Sequence, residues 1–184
     1  MLQLKFDVFP ILETERLLLR ELTKEDAHDL FLLRSDPEVL RYVDREPLQT
    51  IEEAEGLIQR IQTSFANADG ISWAVCLKET NEFIGLVGLW RIIKEHFRAE
   101  IGYTLMPQYW NKGYVTEALN AVIPYGFKQM KLHSIEANIS PENAASIRTA
   151  EKLGFVKEAH FKENYYFRGQ FLDSLTYSLI NKEQ

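Results

Sequence analysis

The apolar pattern changes period at Gly113, and that change limits the chain to a fold in which a sheet and helices share a core. Upstream, Ser72 to Lys78, Phe83 to Arg91 and Ala99 to Met106 are short runs of aromatic and branched residues. The polar link Glu79 to Glu82 suits a hairpin between the first two. Downstream, Tyr114/Val115, Ala118/Leu119, Val122/Ile123 and Phe127 recur at helical spacing, which predicts a helix buried along one side and kinked at Pro124.

The remaining elements follow from caps and breakers. Arg16 to Glu21 suits a strand, and Thr23 to Asp26 has the Thr-x-x-acid form of a helix start. Ala27, Leu30, Phe31 and Arg34 keep helical spacing until Asp36-Pro37. Arg41 to Gln49 is polar and irregular. A second such start at Thr50 to Glu53 opens an amphipathic helix, with Ile51, Ala54, Ile58, Ile61 and Phe65 on one face, that ends before Gly70. His133 to Ile139 alternates as a half-buried strand does. Ser140-Pro141 reads as a cap and first turn of a short helix stopped by Gly154. Phe155 to His160 and Phe171 to Ile180 close the pattern around an Arg168-Gly169 turn. Without repeats, low-complexity segments or linkers, residues 1–184 are expected to form one mixed α+β domain around one sheet.

Composition narrows the function. With 46% hydrophobic and 26% charged residues, the chain is a globular protein and not a disordered one. A net charge of −6 lacks the basic surplus of a general nucleic-acid binder. The single cysteine, Cys76, and four scattered histidines, His28, His96, His133 and His160, exclude an internal disulfide and offer no zinc spacing, so no metal is expected. Lys5 and Asp7 interrupt the N-terminal apolar stretch and no membrane-length run follows. The expected location is therefore cytoplasmic.

The informative stretch is Gln108 to Thr116, which leaves a strand and runs directly into a helix. Such a junction points several backbone N–H groups one way, at the positive end of the helix dipole, and suits a pyrophosphate. Gly113 removes a side chain where a ligand approaches, Lys112 adds charge and Thr116 a hydroxyl. Spacing alone fits an ordinary loop equally well, and neither G-x-x-x-x-G-K-[ST] nor G-x-G-x-x-G occurs.

The run Ala99 to Ala118, reading AEIGYTLMPQYWNKGYVTEA, resembles the acetyl-CoA-binding segment of GNAT-fold N-acetyltransferases. Pro141 to Phe155, PENAASIRTAEKLGF, resembles the second signature of their ribosomal-protein, RimJ/RimL-type subfamily. Thr14 to Arg20 and Phe83 to Gly85 stand where that family has its first strand and central hairpin. Two departures occur in the phosphate loop, where Trp110 replaces a polar residue and Val115 a small one. The resemblance implies a mostly antiparallel twisted sheet flanked by helices, with two central strands splayed to admit the pantetheine arm. It also implies backbone pairing of that arm with Tyr103, Thr104 and Leu105, and a pyrophosphate on Asn111, Lys112, Gly113, Tyr114, Val115 and Thr116. Asn143 and Ser146 would face the thiol end.

The implied reaction is direct attack of an amine on the thioester of acetyl-CoA, which requires a neutral amine, an oxyanion donor and a proton for the thiolate. An α-amine titrates at about 8 and a lysine at about 10.4, so the first needs less help. Glu100 is the first candidate base and Glu136 the second, each also readable as a surface carboxylate, with Glu100 beside Arg98. Ser146 is the candidate to protonate sulfur, and the N–H near Leu105 to bind the oxyanion. Cys76 reads as core. Trp90, Tyr42, Tyr166 and the segments Arg41 to Pro47 and Tyr165 to Gly169 are candidate acceptor walls by analogy. The expected acceptor is a protein N-terminal amine, as the ribosomal subfamily implies. A small amine such as a polyamine, amino-acid derivative or aminoglycoside is the alternative, and a non-catalytic acetyl-CoA-binding module lies outside enzymes altogether. Monomer and homodimer both stay open; nucleic acid and membrane are not expected partners.

Overall fold

Short branched runs separated by caps become an eight-stranded sheet with helices on both faces. In chain order, β1 (Leu12–Glu13) and β2 (Leu17–Arg20) precede helices α1 (Ala27–Ser35) and α2 (Ile51–Ala66). Strands β3 (Ile71–Leu77), β4 (Phe83–Ile93) and β5 (Arg98–Leu105) then form a meander, and α3 (Tyr114–Lys128), β6 (Ser134–Ile139), α4 (Ala144–Lys152), β7 (Val156–Phe167) and β8 (Gln170–Ile180) complete the fold. This computed structural model describes residues 2–4 and 8–182, so Lys5 and Asp7 lie outside it.

The sheet order is β1-β2-β3-β4-β5-β6-β8-β7, antiparallel everywhere except between β5 and β6. One face packs against α3: Leu19, Trp73, Val75, Val87, Ile101 and Ile135 share a core with Ala118, Leu119 and Val122. The other face packs against α1 and α2, where Leu30, Leu33, Ala54 and Ile58 meet Ala74, Cys76 and Phe83. The apolar stripes expected on α2 and α3 face the core apart from Ile51, which is exposed at the start of α2, and α3 is continuous through the exposed Pro124.

Caps decide where helices begin. Thr50 accepts a hydrogen bond from the Glu53 amide (3.3 Å), as its spacing predicts. The expected cap at Ser140 is corrected: α4 starts at Ala144, and Asn143 Oδ1 accepts from the Ser146 amide (3.0 Å). Ser140, Pro141 and Glu142 form a turn closed by the Asn143 amide donating to Ser140 O (2.9 Å). An asparagine three residues on reaches the third helical amide, and the proline belongs to the turn before the helix.

The β5/β6 junction positions the site. Only Arg98↔Ser134, Ala99↔Ile135 and Glu100↔Glu136 are in register. Beyond them β5 stays paired with β4 up to Leu105, and β6 stays with β8 up to Ile139, so the two central strands fork. The last pair sets two carboxylates side by side, which disfavours extending the ladder.

At the opposite edge of the α1 face, Arg20 grips the buried Asp26 with two bonds of 2.7 Å, and Asp26 Oδ2 also accepts from the Thr23 amide (2.8 Å). This ties the entry of α1 to β2. Asp26→Ala is expected to cost about 3–5 kcal/mol by leaving Arg20 without its partner, read as a lower urea midpoint with an unchanged m-value.

Candidate active site

The fork opens into a cavity of about 970 Å³ that reaches both sheet faces. Its backbone wall follows from the ladder. The Met106 amide donates to Ile84 O (2.9 Å), so Thr104 and Gly102, two and four residues before, turn their backbone groups to β4. Ile101, Tyr103 and Leu105 therefore direct theirs into the fork, on the side where Phe97 O already accepts from the His133 amide (2.7 Å). The Leu105 carbonyl is not available there. The Trp110 indole N–H donates to it (2.7 Å), which gives the unexpected tryptophan a structural task and leaves the Leu105 N–H as the group of that residue facing the fork.

Five expected residues, Glu100, Tyr103, Thr104, Asn143 and Ser146, line this one cavity. Glu100 Oε2 accepts from Arg91 (2.9 Å), not Arg98, and Oε1 has no protein partner among the described residues. Glu136 is held at both oxygens, by Arg98 and by Asn138 Nδ2 (2.7 Å). The Asn143 carbonyl is engaged in capping α4, which leaves its NH₂ group for the cavity. The Tyr103 hydroxyl lies buried beside Ser146 and Thr149 on α4 and meets neither in hydrogen-bond geometry. Burial pushes its pKa up, and the two neighbouring hydroxyls oppose that. A Cβ on Gly102 would come within 1.9 Å of the Trp90 ring, so the glycine lets that ring lie across β5.

Asn111 to Thr116 do not line the cavity; they form the loop and first turn of α3. Gly113 is the N-cap at φ 82°, a left-handed conformation that favours glycine. The first bond of the helix runs from the Glu117 amide to Gly113 O (3.0 Å), and no side chain caps the amides before it. Glu117 braces this turn. It accepts from Thr14 Oγ1 (2.6 Å), the Arg16 amide (2.8 Å) and Arg16 Nε (2.7 Å), while Arg16 Nη1 donates to Lys112 O (3.1 Å) and its guanidinium lies 4.3 Å from the Tyr114 ring.

The segments expected as acceptor walls supply Tyr42 to Arg45 and Tyr165 to Phe167, the latter corrected from irregular to the last residues of β7, and Trp90 lines the cavity with its ring over Gly102. The walls touch: Arg168 makes two bonds to Glu46 (3.1 and 2.6 Å). Arg45, within the expected Arg41 to Pro47 wall, lines the cavity, as do Arg34, Arg60 and Arg91, which sequence reasoning missed. Arg34 carried a signal, since it holds an apolar-face position of α1. The Arg16–Glu117 brace carried none, its partners being 101 residues apart. No helix among the described residues is long and apolar enough to cross a membrane.

Residues 16–156 match the family description Acetyltransferase (GNAT) domain. The chain belongs to the GNAT acetyltransferase family. It is an acetyl-CoA-dependent N-acetyltransferase. The uncharacterized N-acetyltransferase YoaA of Bacillus subtilis is 37% identical over 177 residues, 96% of this chain and all of that one. The spermidine N(1)-acetyltransferase of Vibrio cholerae is 27% identical over 158 residues, 86% of this chain and 89% of that one. A solved structure of a ribosomal-protein-serine acetyltransferase assignment from Vibrio cholerae superposes with a TM-score of 0.81 at 26% identity, covering 94% and 98% of the two chains. Membership of the GNAT family is thus established, whereas these names divide over the acceptor.

Two measurements check the site of this GNAT acetyltransferase. Burial in the α1/α2 core pushes the Cys76 thiol up to about 11, so the native protein is expected to be silent to a thiol reagent and to react once unfolded. Burial opposes ionisation of Glu117, but its bonds from Thr14 and Arg16 prevail and hold its carboxyl below the usual range. Its contribution is then complete above the unfolded carboxylate pKa of about 4.3 and lost as pH falls through the lower folded value. Glu117→Gln is expected to reduce the loss of stability on acidification, read from urea midpoints between about pH 6 and 3.

Proposed function

We propose that residues 1–184 act as one domain that transfers the acetyl group of acetyl-CoA to an α-amine, first of all the N-terminal amine of a protein. The observation that carries this reading is the forked β5/β6 edge, whose open backbone groups face Asn143 and Ser146 across one cavity. The amides of Gly113, Tyr114, Val115 and Thr116 hold the pyrophosphate, flanked by Asn111 and Lys112, and the arm runs along Tyr103, Thr104 and Leu105 in strand fashion.

In the reaction the amine lone pair attacks the thioester carbon while the Leu105 N–H donates to the developing oxyanion. Collapse breaks the C–S bond, the nitrogen gives up a proton and the sulfur takes one, yielding an amide and free CoA. Glu100 accepts the proton through water at its unengaged Oε1, whereas Glu136 has both oxygens occupied. Ser146, beside the Tyr103 hydroxyl, returns a proton to sulfur. A single half-engaged carboxylate suits an amine that titrates at about 8 better than one at about 10.4. A polyamine is the second reading, supported by the 27% identical relative named for spermidine.

Titration calorimetry with acetyl-CoA, with NADH and ATP as controls, tests the donor side. Selective micromolar binding is expected, and Gly113→Glu should weaken it by about tenfold or more through steric block and like-charge repulsion. Equal affinity of that variant would refute the loop placement. Glu100→Gln and Ser146→Ala are each expected to lower kcat by about 10²-fold or more with acetyl-CoA affinity retained; indifference of both would overturn the two catalytic assignments.

A further inference from the structure

The charges of the cavity are distributed against those of the chain. The protein carries a net −6, yet the cavity is lined by four arginines, Arg34, Arg45, Arg60 and Arg91, and by three carboxylates, Asp44, Glu100 and Glu136. Both glutamates are paired, Glu100 with Arg91 and Glu136 with Arg98, while the exposed Asp44 lies near the Tyr165 hydroxyl and helps to raise its pKa. Among the described residues Arg34, Arg45 and Arg60 have no ion pair, side-chain hydrogen bond or ring contact. The cations come from three separate elements, α1, the loop after it and α2, and they converge on the acceptor side, beside Tyr42 and Tyr165.

Arg34 is the informative member. It occupies an apolar-face position in the last turn of α1 and is half-buried, so its guanidinium has lost water without gaining a partner. Burial first, and repulsion from Arg45 second, hold its pKa down to about 10. A planar guanidinium kept in such a place matches a carboxylate or phosphate through two parallel N–H···O bonds, and its partial burial strengthens them. A polycation meets the opposite field there, since the half-buried Arg34 and the exposed Arg45 and Arg60 all repel it, Arg34 with the least screening by water.

We infer that the acceptor amine carries an acidic group, a carboxylate or a phosphate, that docks on Arg34 with Arg45 and Arg60, so that this enzyme acetylates acidic amines in preference to polyamines. The inference rests on the acetyltransferase reading above and names the acceptor class for it. An N-terminal peptide with an acidic side chain near its amine meets the requirement, as does a small amino acid or phosphorylated amine; both present the same chemistry to the arginines.

The test is a comparison of kcat/KM by CoA release across matched acceptors. These are a Ser-Glu-Glu-Ala peptide, a Ser-Lys-Lys-Ala peptide, glutamate, O-phosphoserine and spermidine. The acidic acceptors are expected to exceed spermidine and the basic peptide by about tenfold or more. Glutamate against the acidic peptide tells a free small molecule from a peptide, and phosphoserine against glutamate tells phosphate from carboxylate. Arg34→Gln should raise KM for the acidic acceptor by about tenfold, Arg34→Lys less, with acetyl-CoA affinity by calorimetry held within about twofold. Arg34→Glu should move the preference toward the basic peptide, a gain that misfolding cannot imitate. Acetyl-CoA binding by the wild type with no acidic preference overturns this inference alone, as does an unchanged KM in Arg34→Gln. Absence of acetyl-CoA binding overturns the donor reading and this inference with it.

Discussion

The end of the β5/β6 ladder at Glu100 and Glu136 is the constraint on which the rest of the site depends. Two carboxylates lie opposite each other in a parallel register, and each is drawn to an arginine of its own, Arg91 on β4 and Arg98 on β5. Had the strands stayed paired, every backbone group of β5 would be satisfied within the sheet and no ligand could reach them. Because they part, β5 keeps one edge bonded to β4 and opens the other. The fork needs no flexible segment, since each arm is held by its outer neighbour. That is how a rigid sheet provides a strand edge inside the protein without exposing one to aggregation.

The loop proposed to hold the pyrophosphate is kept in place by a different device. Its amides point outward because Gly113 adopts a left-handed conformation and no side chain caps the turn. A loop of this kind would be loose if only its own residues held it. Instead Glu117, one turn inside α3, gathers Thr14 and Arg16 from the segment leading into β2, and Arg16 returns to Lys112 in the loop itself. Trp110 anchors the other end on the Leu105 carbonyl. Both anchors bond side chains to atoms beside the amides and leave the amides untouched, so order is gained without blocking the donors.

Local chemistry explains what could be read from the sequence. The hairpin, the amphipathic helices, the glycine at the start of α3 and the family all rest on residues near one another in the chain, where period and cap rules operate. The Ser140 cap failed because Asn143, three residues on, carries an equally good capping side chain, and only the turn geometry decides between them. The Glu117 brace and the Arg91–Glu100 pair join residues that no spacing rule connects. Arg34 lies between these cases. Its place in the apolar face of α1 was visible, but its meaning required Arg45 and Arg60 to be seen on the same wall.

The fork and the loop are backbone devices, and they set the donor and the reaction. On the proposed reading, acceptor choice depends on side chains from α1, α2, the loop after α1 and the end of β7, which can change without disturbing either device. Relatives that share the scaffold can therefore be named for a polyamine or for a ribosomal protein. In this chain the two glutamates facing the cavity are each paired with an arginine, while Arg34, Arg45 and Arg60 have no carboxylate partner among the described residues. A cavity with more unpaired cations than unpaired carboxylates attracts negative charge near neutral pH, where even Arg34, held down to about 10, keeps its proton.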